Sequence, residues 1–155
     1  APFYWETVAA SFIAQGRSYA QMSSYAEAGI RQYRIEAVLD EQTTNICRYL
    51  HGKTFSVADA LRRFDRIEQL EDPEAIKQAM PWVREAQDLE TGRTRLYVDG
   101  GGGRTDLAEV TRSAMGTRDE RGDFRALASD GVLNEVGIGF PPYHGLCRST
   151  TLAVV

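Results

Sequence analysis

Residues 33–57 read YRIEAVLDEQTTNICRYLHGKTFSV, and this stretch decides the fold class. Tyr33, Ile35, Ala37 and Leu39 alternate with Arg34, Glu36 and Val38, the two-residue period of a strand with one face buried and the other partly wet. Asp40 ends the run. Thr43, Thr44 and Asn45 are each able to cap a helix, because a short polar side chain accepts a hydrogen bond from the free N–H groups of the first turn. Ile46, Cys47 and Leu50 then supply the apolar residues of that helix. Gly52 closes it, and residues 53–57 read as a second strand.

Upstream, Trp5, Val8, Phe12, Ala20 and Tyr25 recur at helical steps over residues 3–28, the signature of one long amphipathic helix stopped by Gly29. Its aromatic stripe of Trp5, Phe12, Tyr19 and Tyr25 reads as core packing, with partner docking as the alternative on an exposed face. Downstream, residues 58–139 read as a mainly helical insertion. Leu61, Phe64, Ile67 and Leu70 share one face, and Asp72-Pro73-Glu74 starts a second helix, since Asp caps and proline is preformed for a first turn. Pro81 breaks that helix before Trp82. A strand over 94–98 runs into glycines 100–103. Then come an expected helix over 105–114, a polar loop at 116–122, a short helix near 124–129, and strand or loop at 132–138. Pro141 and Pro142 force an extended approach to a terminal strand over 148–155. Helices and strands do not alternate regularly. The expected class is therefore α+β: a long N-terminal helix, a small mostly antiparallel sheet closed by the C-terminal strand, and a helical insertion, in a single domain over 1–155.

The 155 residues are 43% hydrophobic and 26% charged, the proportions of an ordinary globular chain. A net charge of −4, with both signs interspersed, argues against a nucleic-acid binder working by general electrostatic attraction. Arg62, Arg63 and Arg66 are offset by Asp59, Asp65 and Glu68, as on a solvated helix face. No apolar run reaches about 18 residues, and the N-terminus lacks the basic flank and apolar stretch of a signal peptide, so no membrane contact and a cytoplasmic setting are expected. The chain begins at Ala1 without an initiator Met, as a piece of a longer protein does. The glycines at 100–103 precede Arg104 and Thr105 but lack the GxxxxGK[ST] spacing, so they read as a flexible turn rather than a phosphate loop.

The chemistry-bearing residues pair up. The only cysteines are Cys47 and Cys147, the only histidines His51 and His144, and each cysteine lies within four residues of a histidine. On a helix, Cys47 and His51 are one turn apart and face the same way. Brought together with His144 and Cys147, they would make a Cys2His2 tetrahedron suited to structural Zn2+. Against this stands a buried thiol packed as a small hydrophobe beside a hydrogen-bonded imidazole, and a catalytic Cys or His is the third reading. Arg148, Ser149, Thr150 and Thr151 follow His144, and Asp40, Glu41 and Thr43 precede Cys47. Such a set would hold a phosphate or let His144 act as acid or base while Arg148 stabilises developing charge. The structural alternative is that Arg148 pairs with Asp40 or Glu41 and locks the closing strand to the first. Ser149 lacks the glycine-framed elbow of a hydrolase nucleophile.

Two motifs carry a family resemblance. AVLDEQTTNICRYLHGKTF, at 37–55, has Asp, then Thr, then Cys-Arg, then Gly-Lys-x-Phe, and PPYHGLCRSTT, at 141–151, has Pro-Pro-x-His-x-x-Cys-Arg-Ser-Thr-Thr. In this order they resemble the phage Mu F-type head-morphogenesis (minor capsid) family. The resemblance implies a phage or prophage protein that assists capsid assembly through contacts with portal or capsid proteins and with packaged DNA, in the host cytoplasm or the virion. The family also occurs attached to toxin domains. The alternative is therefore a polymorphic-toxin effector with a cognate immunity protein, a ribonuclease or ADP-ribosyl-transferring enzyme using His144, Arg148, Ser149, Thr150 and Asp40. Many members carry two further cysteines where this chain has Thr44 and Ser149, so a four-sulfur ligand set is not available here.

Overall fold

The computed structural model describes residues 2–100, 102–144 and 147–155, with side chains from residue 15 onward apart from Pro73 and Lys77. Trp5 and Phe12 of the aromatic stripe therefore lie outside the described side chains. The first element is helix α1, Pro2–Glu27. It ends as a glycine-terminated helix does: Gly29 takes a φ of +75°, and the Gly29 and Ile30 N–H groups turn back onto the carbonyls of Ala26 and Tyr25. Ser18, Met22 and Tyr25, at helical spacing, form its inward face, with Met22 fully buried.

Strand β1, Gln32–Glu36, is the centre of a three-stranded antiparallel sheet, flanked by β2, Thr54–Ser56, and β7, Thr150–Val154. The alternation in β1 sends Tyr33 and Ile35 into the core, opposite Ala153 and Thr151 of β7. Helix α2, Asn45–Leu50, connects β1 to β2, and all six of its residues are buried. The strand expected to run to Leu39 stops at Glu36 for a local reason. The Ala37 N–H donates to His51 Nδ1 at 3.0 Å, and the Gly52 N–H donates to the Ile35 carbonyl, so the helix exit takes the ladder positions.

Helix α3, Val57–Glu68, is capped by Ser56, whose hydroxyl accepts from the Asp59 N–H; α4, Pro73–Ala79, is capped by Asp72, which accepts from the Glu74 N–H at 3.0 Å. The insertion departs from the sequence reading after Pro81. It carries a four-stranded antiparallel sheet in the order β3, Arg84–Gln87; β4, Thr94–Asp99; β5, Arg104–Arg112; and β6, Asp123–Ala126. Residues 105–114 and 124–129, expected as helices, thus supply strands, while 132–138, expected as strand or loop, holds the short helix α5, Asp130–Glu135, capped by Ser129. Leu107 and Val110, three apart, suit a helical face, whereas Ala108 and Val110, two apart, suit a strand. Cross-strand pairing decided the outcome, since Leu96 sits opposite Ala108 and Val110 opposite Phe124. Glycines 100, 102 and 103 lie in the hairpin turn between β4 and β5 rather than between a strand and a helix, which removes the phosphate-loop geometry. The class is α+β, and one buried cluster joins Tyr33, Ile35, Leu50 and Phe64 to Leu96, Leu107, Leu133 and Phe140.

Candidate metal centre

Helix α2 and the segment entering β7 are brought side by side. Helix α2 is fixed by a polar side chain in its own middle. Arg48 is fully buried, and its guanidinium donates to four backbone carbonyls: Thr43 at 3.0 Å, Asp40 at 2.6 Å, Thr117 at 3.0 Å, and Glu120. Arg121, from the same 113–122 loop, donates to the carbonyls of Arg48 and Tyr49 and so terminates the helix. A planar guanidinium with five donors suits such a role, since each buried carbonyl left unpaired is costly. The sequence quotes Arg48 within a motif but gives no sign of this task beyond a charged residue on a short apolar helix.

From the other side come His144 and Cys147, with the Cys147 N–H donating to the His144 carbonyl at 3.3 Å. Pro141 and Pro142, joined by a cis peptide, precede them. The Pro141 carbonyl accepts from Ser18 of α1, and Thr151 bonds to Gln21 and Tyr25 of α1. Cys47 Sγ then lies 3.4 Å from His144 Nε2 and 4.0 Å from Cys147 Sγ, and the three ligand atoms all fall within 4.8 Å of one another. On a tetrahedral zinc with Zn–S of ~2.3 Å and Zn–N of ~2.0–2.1 Å, sulfur atoms stand about 3.8 Å apart and sulfur and nitrogen about 3.6 Å. The two distances from Cys47 Sγ lie within a few tenths of an ångström of these values.

Thr44 occupies the N-cap of α2, yet its hydroxyl makes no capping bond and lies 3.3 Å from His144 Nε2. A local rule is given up where the side chain has other business. Thr44, Ser149, Cys47 and His144, with Gln42, Thr43 and Arg148, line a cavity of about 20 Å³. That volume holds roughly one water. The two thiols share ionisation unequally. The Cys47 hydrogen bond, backbone hydrogen bonds from Tyr143 and Ser149, and the nearby His144 pull the Cys147 thiol below its ordinary value. The same contact with Cys147, reinforced by burial, pushes Cys47 up.

The four-ligand expectation is corrected at one position. His51 stands outside the cluster because its Nδ1 accepts the Ala37 N–H at the end of β1. Arg148 makes a two-pronged ion pair with Asp40, at 2.7 and 2.8 Å, which holds the Asp40 carboxyl far below the usual carboxylate range with help from the Gln42 N–H. Glu41 turns away to Arg118. Ser149 lines the cavity. Thr150 is exposed on β7 opposite Glu36, and Thr151 faces α1, so neither hydroxyl joins the cluster. The larger cleft, about 350 Å³ beside Arg63 and the glycine turn, is lined by none of these residues.

No protein-family model, curated protein or solved structure matches the chain. Among the described residues, no helix is long and apolar enough to cross a membrane.

Proposed function

We propose that Cys47, His144 and Cys147 hold one zinc ion, with a water as fourth ligand, and that this ion ties the C-terminal segment to α2 in a phage or prophage head-morphogenesis module working through protein contacts. The observation that carries the reading is the convergence of two thiols and an imidazole within 4.8 Å of one another, with a cavity that holds one water beside Cys47 and His144. The resemblance gains support from the same place: Asp40, Thr43 and Cys47 from the first motif meet His144, Cys147 and Arg148 from the second. A module that presents a surface to portal or capsid partners in the host cytoplasm or virion needs a fixed shape, which a thiolate-bound ion supplies. The effector-enzyme alternative draws on Asp40, His144, Arg148, Ser149 and Thr150, but Arg148 is engaged by Asp40 and the cavity has no room for a substrate.

Metal analysis of the purified chain tests the site. About one zinc per chain is expected, lost together with thermal stability in Cys147→Ser; a zinc-free protein of equal stability in both forms overturns it. Expression in bacteria tests the assembly role against the toxin: growth is expected to be unaffected. Arrest relieved by His144→Ala would replace the module with the enzyme.

A further inference from the structure

Cys47 and Cys147 are the only cysteines of the chain, both are free, and their sulfurs stand 4.0 Å apart. We propose that they form a redox-active dithiol which a hydroperoxide converts to an intramolecular disulfide, expelling the metal and leaving a covalent tie in its place. The inference concerns the same site as the zinc reading and adds its regulation.

The two sulfurs are unequally held. Cys47 sits on a six-residue helix buried throughout and is itself 4% exposed. Cys147 is half-buried in the non-regular backbone between His144 and the start of β7. A disulfide needs the sulfurs ~2.05 Å apart, so the approach of about 2 Å falls to Cys147. Cys147 is also the more exposed of the two sulfurs, and so the one an oxidant from solvent meets first.

In the first step an electron pair on the Cys147 sulfur attacks the distal peroxide oxygen. The O–O bond breaks and the alkoxide or hydroxide leaves as alcohol or water after taking a proton, so that Cys147 becomes a sulfenic acid. In the second step the Cys47 sulfur attacks that of Cys147, the S–O bond breaks, and the hydroxyl leaves as water with the proton from Cys47. His144 Nε2, 3.4 Å from Cys47 Sγ, is placed to pass that proton. Two thiols and one hydroperoxide thus yield one disulfide, one alcohol or water, and one further water. Two electrons pass from the sulfurs to the peroxide. When zinc is bound, two protons come from solvent and the ion leaves, because a disulfide offers no thiolate ligand.

The test treats the full chain with one equivalent of hydrogen peroxide and reads intact mass, zinc released to a chromogenic chelator, and non-reducing peptide maps. The expected result is a loss of two hydrogens, a peptide linking Cys47 to Cys147, and full zinc release, all reversed by dithiothreitol. Addition of oxygen atoms without the linked peptide, linkage between chains, or no reaction would overturn the proposal. The Cys47→Ser variant is expected to stop at one added oxygen on Cys147. Should it not fold, the peptide map of the unaltered chain decides alone. The two readings fail separately: a chain without zinc still reports the disulfide, and a zinc protein that forms no disulfide retains its metal site.

Discussion

Two buried ionic side chains, Arg48 in α2 and Glu109 in β5, show how differently the two halves of this molecule are fastened. Arg48 is fully buried and satisfied entirely by backbone carbonyls from two loops. Glu109 is just as enclosed, but its partners are the side chains of Arg93 at 2.9 Å and Arg125 at 3.3 Å, each more than half exposed, with Arg95 at 3.9 Å. Backbone partners cannot move without moving the chain, so Arg48 fixes the shape of the loops that frame Cys47. Side-chain partners can rotate or exchange with water, so the arginine layer over Glu109 covers a sheet without specifying a site. The difference teaches where to look for function: around the residue wired to backbone.

The strongest challenge to this contrast is Arg48→Met, which withdraws the guanidinium from four carbonyls, of which that of Asp40 keeps the Thr43 N–H. Urea denaturation should show a loss of about 3–5 kcal/mol, and zinc content should fall with it, because buried acceptors stripped of a charged donor each cost on the order of 1–3 kcal/mol. A loss below about 1 kcal/mol would mean that water replaces the guanidinium and that α2 is not fastened as described.

A smaller effect separates the two histidines. His51→Ala removes the acceptor of the Ala37 N–H and should cost about 1 kcal/mol in the same denaturation experiment while leaving zinc stoichiometry unchanged. Zinc loss in that variant would return His51 to the ligand set.

The smallest effect is expected at Glu109→Gln, and it should depend on pH. The Arg93 and Arg125 contacts hold the Glu109 carboxyl below its ordinary value of 4.5, so the folded chain binds this proton less readily than the unfolded chain. The carboxylate's stabilisation is then complete above the ordinary carboxylate range and disappears as pH falls through the depressed value. Thermal midpoints of the parent should exceed those of the variant at pH 7, with the gap closing toward acid. A gap that is constant with pH would assign the effect to packing instead of charge.

Local chemistry wrote much of the first half legibly. Asp72 and Pro73 announced α4, Thr44 through Leu50 announced α2, and the alternation at Tyr33 and Ile35 announced β1, because caps and periods act over a few residues and need no distant partner. Residues 104–112 were misread because Leu107, Ala108 and Val110 fit a helical face as well as a strand, and only pairing with residues 94–99 and 123–126 settles which it is. The candidate site was half legible. The three residues that could hold a metal were named from residue type and spacing, yet His51 was grouped with them by adjacency on a helix, and nothing local revealed that its ring nitrogen ends β1.

What the sequence determined by itself is the supply of parts: two thiols, two imidazoles, a threonine at a helix start, and an arginine on a short apolar helix. Which of these act together was decided by tertiary structure alone, through the hydrogen bonds that lash Pro141 and Thr151 to α1 and Arg148 to Asp40. The physical reason is reach. A side chain spans only a few ångströms, so atoms separated by 100 positions along the chain become neighbours when the backbone is folded to bring them there, and no local pattern records that distance.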